Sequence, residues 1–127
     1  MGMTDAGAAH VFTKSGSTWS HVQTLVPTGL AAGDRFAESV DLSDDGNVAI
    51  LGSWHADSGA GAAYVFRRSG STYGTDEKLM AMDRQPGDSF GYSVALSGDG
   101  TTALIGSVES DFAGASDAGA TDGAAGD

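Results

Sequence analysis

Apolar and polar positions alternate along this chain in short bursts, each cut off by glycine, serine or aspartate. Gly61-Ala62-Ala63-Tyr64-Val65-Phe66 is a run of strand formers that stops at Arg67-Arg68-Ser69-Gly70-Ser71 before Thr72-Tyr73 resumes. A glycine-centred stop between two such runs predicts a hairpin. Ala9-His10-Val11-Phe12, the turn Ser15-Gly16-Ser17, and Thr18-Trp19 running on to Leu25 predict another of the same design. Phe90-Gly91-Tyr92-Ser93-Val94-Ala95-Leu96-Ser97 alternates large with small residues at period two, meets Gly98-Asp99-Gly100, and continues as Thr102-Ala103-Leu104-Ile105-Gly106. Asp-Gly between strands is the strongest short-range hairpin signal. No stretch sustains the 3.6-residue period that a helical solenoid needs.

The pattern is written twice. Residues 6–53 lie on 60–107 at a constant offset of 54 without a gap, and 23 of the 48 aligned positions are identical. The identities fall at turn and packing positions, including Gly7/Gly61, Phe12/Phe66, Gly16/Gly70, Phe36/Phe90 and Gly52/Gly106. Each period therefore holds four short strands: an aromatic-led strand, an Asp-Gly turn, an apolar strand ending in Gly-Ser, a loop, an Ala-Ala-aromatic strand, a Ser-Gly turn and an outer strand. Four strands per period is the arithmetic of a propeller blade. Gly33-Asp34 and Gly87-Asp88 close the variable loops, with an aspartate placed to bond nearby backbone N–H groups.

Composition narrows the function classes. The 127 residues carry 17 acidic against six basic side chains, a net charge of −11, which argues against a phosphate-binding surface and hence against nucleic acid as partner. Such an acidic surface holds hydration in salt-rich media, recruits divalent cations or keeps a protein dissolved, and a solvated face is the expected reading. The 20 glycines with only two prolines fit many tight turns. With no cysteine there is neither a disulfide framework nor a thiolate metal site. The start lacks a basic region followed by an apolar one, no apolar run is long enough to span a bilayer, and a soluble segment without membrane insertion is expected.

The elements Phe90 to Gly100, the apolar strand ending Ile105-Gly106, and Gly61-Ala62-Ala63-Tyr64-Val65-Phe66 together resemble the FG-GAP repeat family, whose members include the integrin alpha-chain propeller. The likeness covers residues 6–107 and is nearest to the bacterial and archaeal variety found in secreted and surface proteins. Two departures stand out. The first copy has Phe36-Ala37 in place of Phe-Gly, and Ala9 and Ala63 stand where the Gly-Ala-Pro signature has proline. Ala37 suggests that this position is not required to take a positive φ and that glycine at 91 serves close packing.

The resemblance implies an all-β fold of β-propeller-type repeats with four-stranded antiparallel blades. Residues 6–35 are the outer two strands of a preceding blade plus a loop, 36–89 one complete blade plus a loop, and 90–110 the inner two strands of a following blade. Residues 111–127, rich in Ala, Gly and Asp, read as a flexible tail. Half, whole, half is an open arc, whereas propellers close with four to eight blades. Either several chains assemble through open blade edges or the arc belongs to a longer propeller, and the second is the expectation.

Calcium is the sharpest site hypothesis, because integrin-type blades can carry an Asp-rich loop of oxygen ligands. Asp44-Asp45-Gly46-Asn47 and Asp99-Gly100-Thr101 are too short to supply six oxygens, so Asp44, Asp45 and Asp99 are weak metal candidates with a turn role as the main reading. Asp111, Asp117, Asp122 and Asp127 show no known calcium spacing. His10, His21 and His55 lie far apart in sequence, which disfavours zinc. Gly59-Ala60-Gly61 precedes a strand rather than opening a helix, and no Gly-x-Ser-x-Gly elbow occurs. No catalytic residues and no cofactor are expected.

Among Trp19, Trp54, Tyr64, Tyr73 and Tyr92, which could form a binding face, Trp54 differs because it opens a loop and its repeat counterpart is Val108. Trp54, His55 and Asp57 are the candidate ligand-binding residues. The family resemblance implies a non-catalytic, adhesion-like interaction module of a secreted or cell-surface protein, presenting loops to a protein or carbohydrate ligand. The rival readings are a fragment of a propeller lyase or hydrolase whose catalytic blades are absent, and a self-assembling propeller fragment.

Overall fold

The computed structural model describes residues 3–109. Three antiparallel sheets follow one another along the chain. Ala9–Ser15 (β1) and Thr18–Leu25 (β2) form a hairpin. Ser39–Leu42 (β3), Val48–Ser53 (β4), Ala62–Ser69 (β5) and Thr72–Leu79 (β6) form a four-stranded sheet in sequence order. Phe90–Leu96 (β7) and Ala103–Ser107 (β8) form a last pair. One helical turn, Ala56–Gly59 (α1), joins β4 to β5. The architecture is all-β, with propeller-type repeats in an open arc.

The sheets stack because β4 is apolar on both faces, and all six of its residues are buried. Ala49 and Leu51 join the core that Leu25, Phe36, Tyr64 and Phe66 build beneath the β1–β2 hairpin. Val48 and Gly52 point the other way, beside Gly100 and Gly91 of the following pair. A strand buried on two sides reads as continuous hydrophobicity rather than alternation. Phe36 anchors the first layer, with edge-on packing to Tyr64 at 5.5 Å and a tilted contact to Phe66 at 6.1 Å.

The joints between sheets repeat with the sequence. Gly7 bridges Phe36 and Gly61 bridges Phe90, each as an isolated parallel pair. The Phe36 amide donates to Ala6 O at 2.8 Å and the Phe90 amide to Ala60 O at 3.1 Å. Asp34 and Asp88 each accept the amide three residues earlier at 2.9 Å, which fixes the loop entering the joint. Ser53 and Ser107 donate from Oγ to the carbonyls of Asp34 and Asp88 at 2.8 and 3.0 Å. A β-bulge also recurs, between Val11 and Phe12 and between Val65 and Phe66, where one residue of the outer strand is left over.

The structure corrects the reading of Ala37. Its φ is +73°, so this position does take the left-handed conformation, as Gly91 does at +92°. At Gly91 an added Cβ would lie 2.3 Å from Ala62 O. Gly91 thus answers to both backbone sign and close approach, and Ala37 bears the strained φ with its methyl. Residues 111–127, with the aspartates at 111, 117, 122 and 127, lie outside the described residues.

Candidate functional site

The connections gather at two ends of the stack. The tight turns 43–47, 69–72 and 97–101 close β3–β4, β5–β6 and β7–β8, while the longer segments 26–38, 54–61 and 80–89 emerge at the opposite end.

Turn chemistry accounts for two of the metal candidates. Asp45 Oδ1 accepts Ser43 Oγ at 2.9 Å and the Asn47 amide at 2.8 Å. Asp99 Oδ1 accepts Thr101 Oγ1 at 2.7 Å, Ser97 Oγ at 2.8 Å and the Thr101 amide at 3.1 Å. Those donors hold both carboxyls below the usual value of 3.8, the Asn47 amide foremost at Asp45 and the Thr101 hydroxyl foremost at Asp99. The same serines accept from the strand that leaves the turn, Val48 N to Ser43 Oγ and Thr102 N to Ser97 Oγ, both at 3.0 Å. Asp44 donates its amide to Gly98 O at 2.8 Å across the joint between sheets. Among the described residues no group of three His, Asp or Glu side chains converges as a metal site.

His10 and His21 are distant in sequence, yet the β1–β2 hairpin brings them together. His10 Nδ1 and His21 Nε2 are 3.4 Å apart, and Thr24 Oγ1 lies 3.1 Å from His21 Nε2. Their separation along the chain does not translate into separation in space.

At the loop end, Trp54 is the centre of a cluster. Its indole Nε1 donates to Glu38 Oε1 at 3.0 Å, and Tyr92 stands edge-on to the ring at 5.7 Å. The Arg35 guanidinium lies 5.8 Å from the indole centroid, within cation–π range, and His55 packs edge-on at 5.0 Å. His55 Nδ1 donates to Gly33 O at 3.0 Å. Trp54 is half-buried, whereas Arg35, Glu38, His55 and Tyr92 are exposed. Glu38, just before β3, and Tyr92, in β7, are repeat-equivalent positions at successive sheets, so the tryptophan spans the joint between them. Sequence alone marks Trp54 and His55 here, and Arg35 and Glu38 carry no signal of their own.

Asp57 does a different job from its neighbours Trp54 and His55. It takes φ +54°, Ser58 follows at +61°, and its carboxylate binds Arg84 at 2.6 Å and Lys78 at 3.1 Å. The Arg84 hydrogen bond leads in holding this carboxyl below its ordinary range. The ion pairs tie the α1 turn to the end of β6 and to the next loop. The other aromatics divide. Tyr64 and Tyr73 are buried, and burial pushes the Tyr64 phenol up, while Trp19 is 64 % exposed.

A groove of about 530 Å³ opens between the β1–β2 hairpin and the four-stranded sheet. Val11, Phe12, Val40 and Leu42 line it, and Val40 and Leu42 are both more than half exposed. No helix among the described residues is long and apolar enough to cross a membrane.

A family model described as the FG-GAP repeat matches residues 19–66 and again 73–121. The matches begin 73 − 19 = 54 residues apart, the chain's own period. In the first match β2 lies in one sheet and β3, β4 and β5 in the next, and in the second β6 lies in one sheet and β7 and β8 in the next, so the sequence repeat straddles a joint. No curated protein matches the chain.

Proposed function

The chain belongs to the FG-GAP repeat family, and from that premise we propose that it is a non-catalytic interaction module that binds a protein or carbohydrate ligand at its loop end. The observation that carries this reading is the cluster around Trp54, where a half-buried indole is held by Glu38 and Tyr92 and flanked by exposed Arg35 and His55. Trp, Tyr and Arg are the residue types that dominate binding interfaces, because they offer large rigid contact area with a polar handle. Residues from two connections and from β7 meet there on a scaffold of stacked sheets, an arrangement that pre-organises a surface at little entropic cost. Asp57 pins the loop that Trp54 opens through its ion pairs with Arg84 and Lys78. A secreted or cell-surface setting and an adhesive role fit the family's habit.

The test is a screen of the labelled chain against immobilised neutral oligosaccharides and extracellular-matrix peptides. Trp54→Ala and Tyr92→Ala are expected to weaken any hit by about 10-fold or more. Hits that keep full strength in both variants would move the site away from this end.

A further inference from the structure

The two flanking hairpins are the two halves of one blade. In the complete sheet β4 pairs with β5, with Ile50 opposite Val65 and Ala49 opposite Phe66. Adding the 54-residue offset turns β4 into β8, and subtracting it turns β5 into β1. Among the described residues, β8 and β1 each have an edge with no paired strand at the place where their counterparts pair. We propose that β8 of one copy of this chain pairs antiparallel with β1 of a second copy, so that β7–β8 and β1–β2 complete a blade between chains.

Exposure supports that occupant. Ile50 is 0 % exposed while its equivalent Leu104 is 75 % exposed, and Phe66 at 2 % matches Phe12 at 52 %. These side chains are apolar at positions that the complete blade buries, so an unfilled half-blade explains why they face water. Transferring the central register sets Leu104 opposite Val11 of the second copy and Ala103 opposite Phe12. In that position Leu104 enters the groove lined by Val11, Val40 and Leu42. One contact thereby pairs two open edges and fills the groove. The interface is head-to-tail, and such an interface closes into a ring where the rotation permits. The described strands of each chain amount to two blades, so two, three or four chains give rings within the usual four to eight blades. The charge of −11 opposes association, and added salt strengthens it by screening.

Light-scattering mass after size exclusion of the full chain, at low and at about 0.5 M salt, reads the outcome. A discrete species of two to four chains is expected. Leu104→Lys sits on an exposed site in the single chain but would bury an unpaired charge in the ring, and is expected to weaken association by more than about 100-fold. Because the natural sequence has no cysteine, cross-linking tests the register without depending on that variant. A Val11→Cys chain mixed with a Leu104→Cys chain is expected to form a mixed disulfide under mild oxidation, and a Val11→Cys chain mixed with an Ala103→Cys chain is not. A monomer at all concentrations overturns the proposal. An oligomer that ignores Leu104→Lys, or cross-links equally in both mixtures, overturns it as well.

Discussion

At Gly61 the backbone of one sheet passes so near the next that a Cβ would lie 2.0 Å from Phe90 O, and φ is +91°. Steric overlap with backbone adds to the left-handed cost, so Gly61→Ala is expected to lose more than about 3 kcal/mol by urea unfolding. Gly70, at φ +65° with open space around it, isolates the dihedral cost alone, and Gly70→Ala should lose only about 1–2 kcal/mol. An equal loss in the two variants would refute the close-approach account. Ala37 gives the converse case. Ala37→Gly removes the strain of φ +73° and should raise stability by up to about 1 kcal/mol, read from the urea midpoint.

The Asp-Gly turns act as units, each built from a serine, an aspartate and a backbone amide at the entry to the next strand. Both aspartates are held ionised by donors that the unfolded chain lacks. Their support is therefore fully present above the ordinary carboxylate value of 3.8 and is lost as pH falls through it toward the lowered folded value. Unfolding monitored between pH 6 and 3 should show stability falling toward the acid end, and Asp45→Ala combined with Asp99→Ala should flatten that slope. Asp57 follows the same sign, because its carboxyl is also held low by Arg84 and Lys78. With a side chain 40 % exposed, Asp57→Asn should cost no more than about 1 kcal/mol. The central strand carries far more. Ile50 is fully buried between sheets, and Ile50→Ala should cost roughly 2–5 kcal/mol.

For the molecule as a whole, stability comes from stacking sheets on two faces of β4 against the self-repulsion of an acidic surface. Raising salt from low to moderate concentration should raise the thermal midpoint by screening that repulsion, and an unchanged midpoint would show that the charges are too dispersed to matter. The outer hairpins bury one face each, so amide exchange is expected to be slowest in β4 and β5 and fastest in β1 and β8. Protection of β1 and β8 that rises with protein concentration would point to pairing between copies.

The sequence by itself determined the strands and their hairpin pairing, because period-two patterning, Asp-Gly and Ser-Gly turns and a gap-free 54-residue repeat are local signals that survive in one dimension. It also marked Trp54 as the unrepeated residue of a repeated loop. Only the tertiary structure decided the rest. Ala37 is left-handed because the joint between sheets imposes its φ, against the preference of its side chain. His10 meets His21 because hairpin pairing with a bulge cancels their separation along the chain. Asp57 clamps the α1 turn because Lys78 and Arg84 arrive from β6 and the following loop. Arg35 and Glu38 joined Trp54 for the same reason: which side chains share a surface depends on how sheets stack, and no local pattern encodes the distance between residues on different sheets.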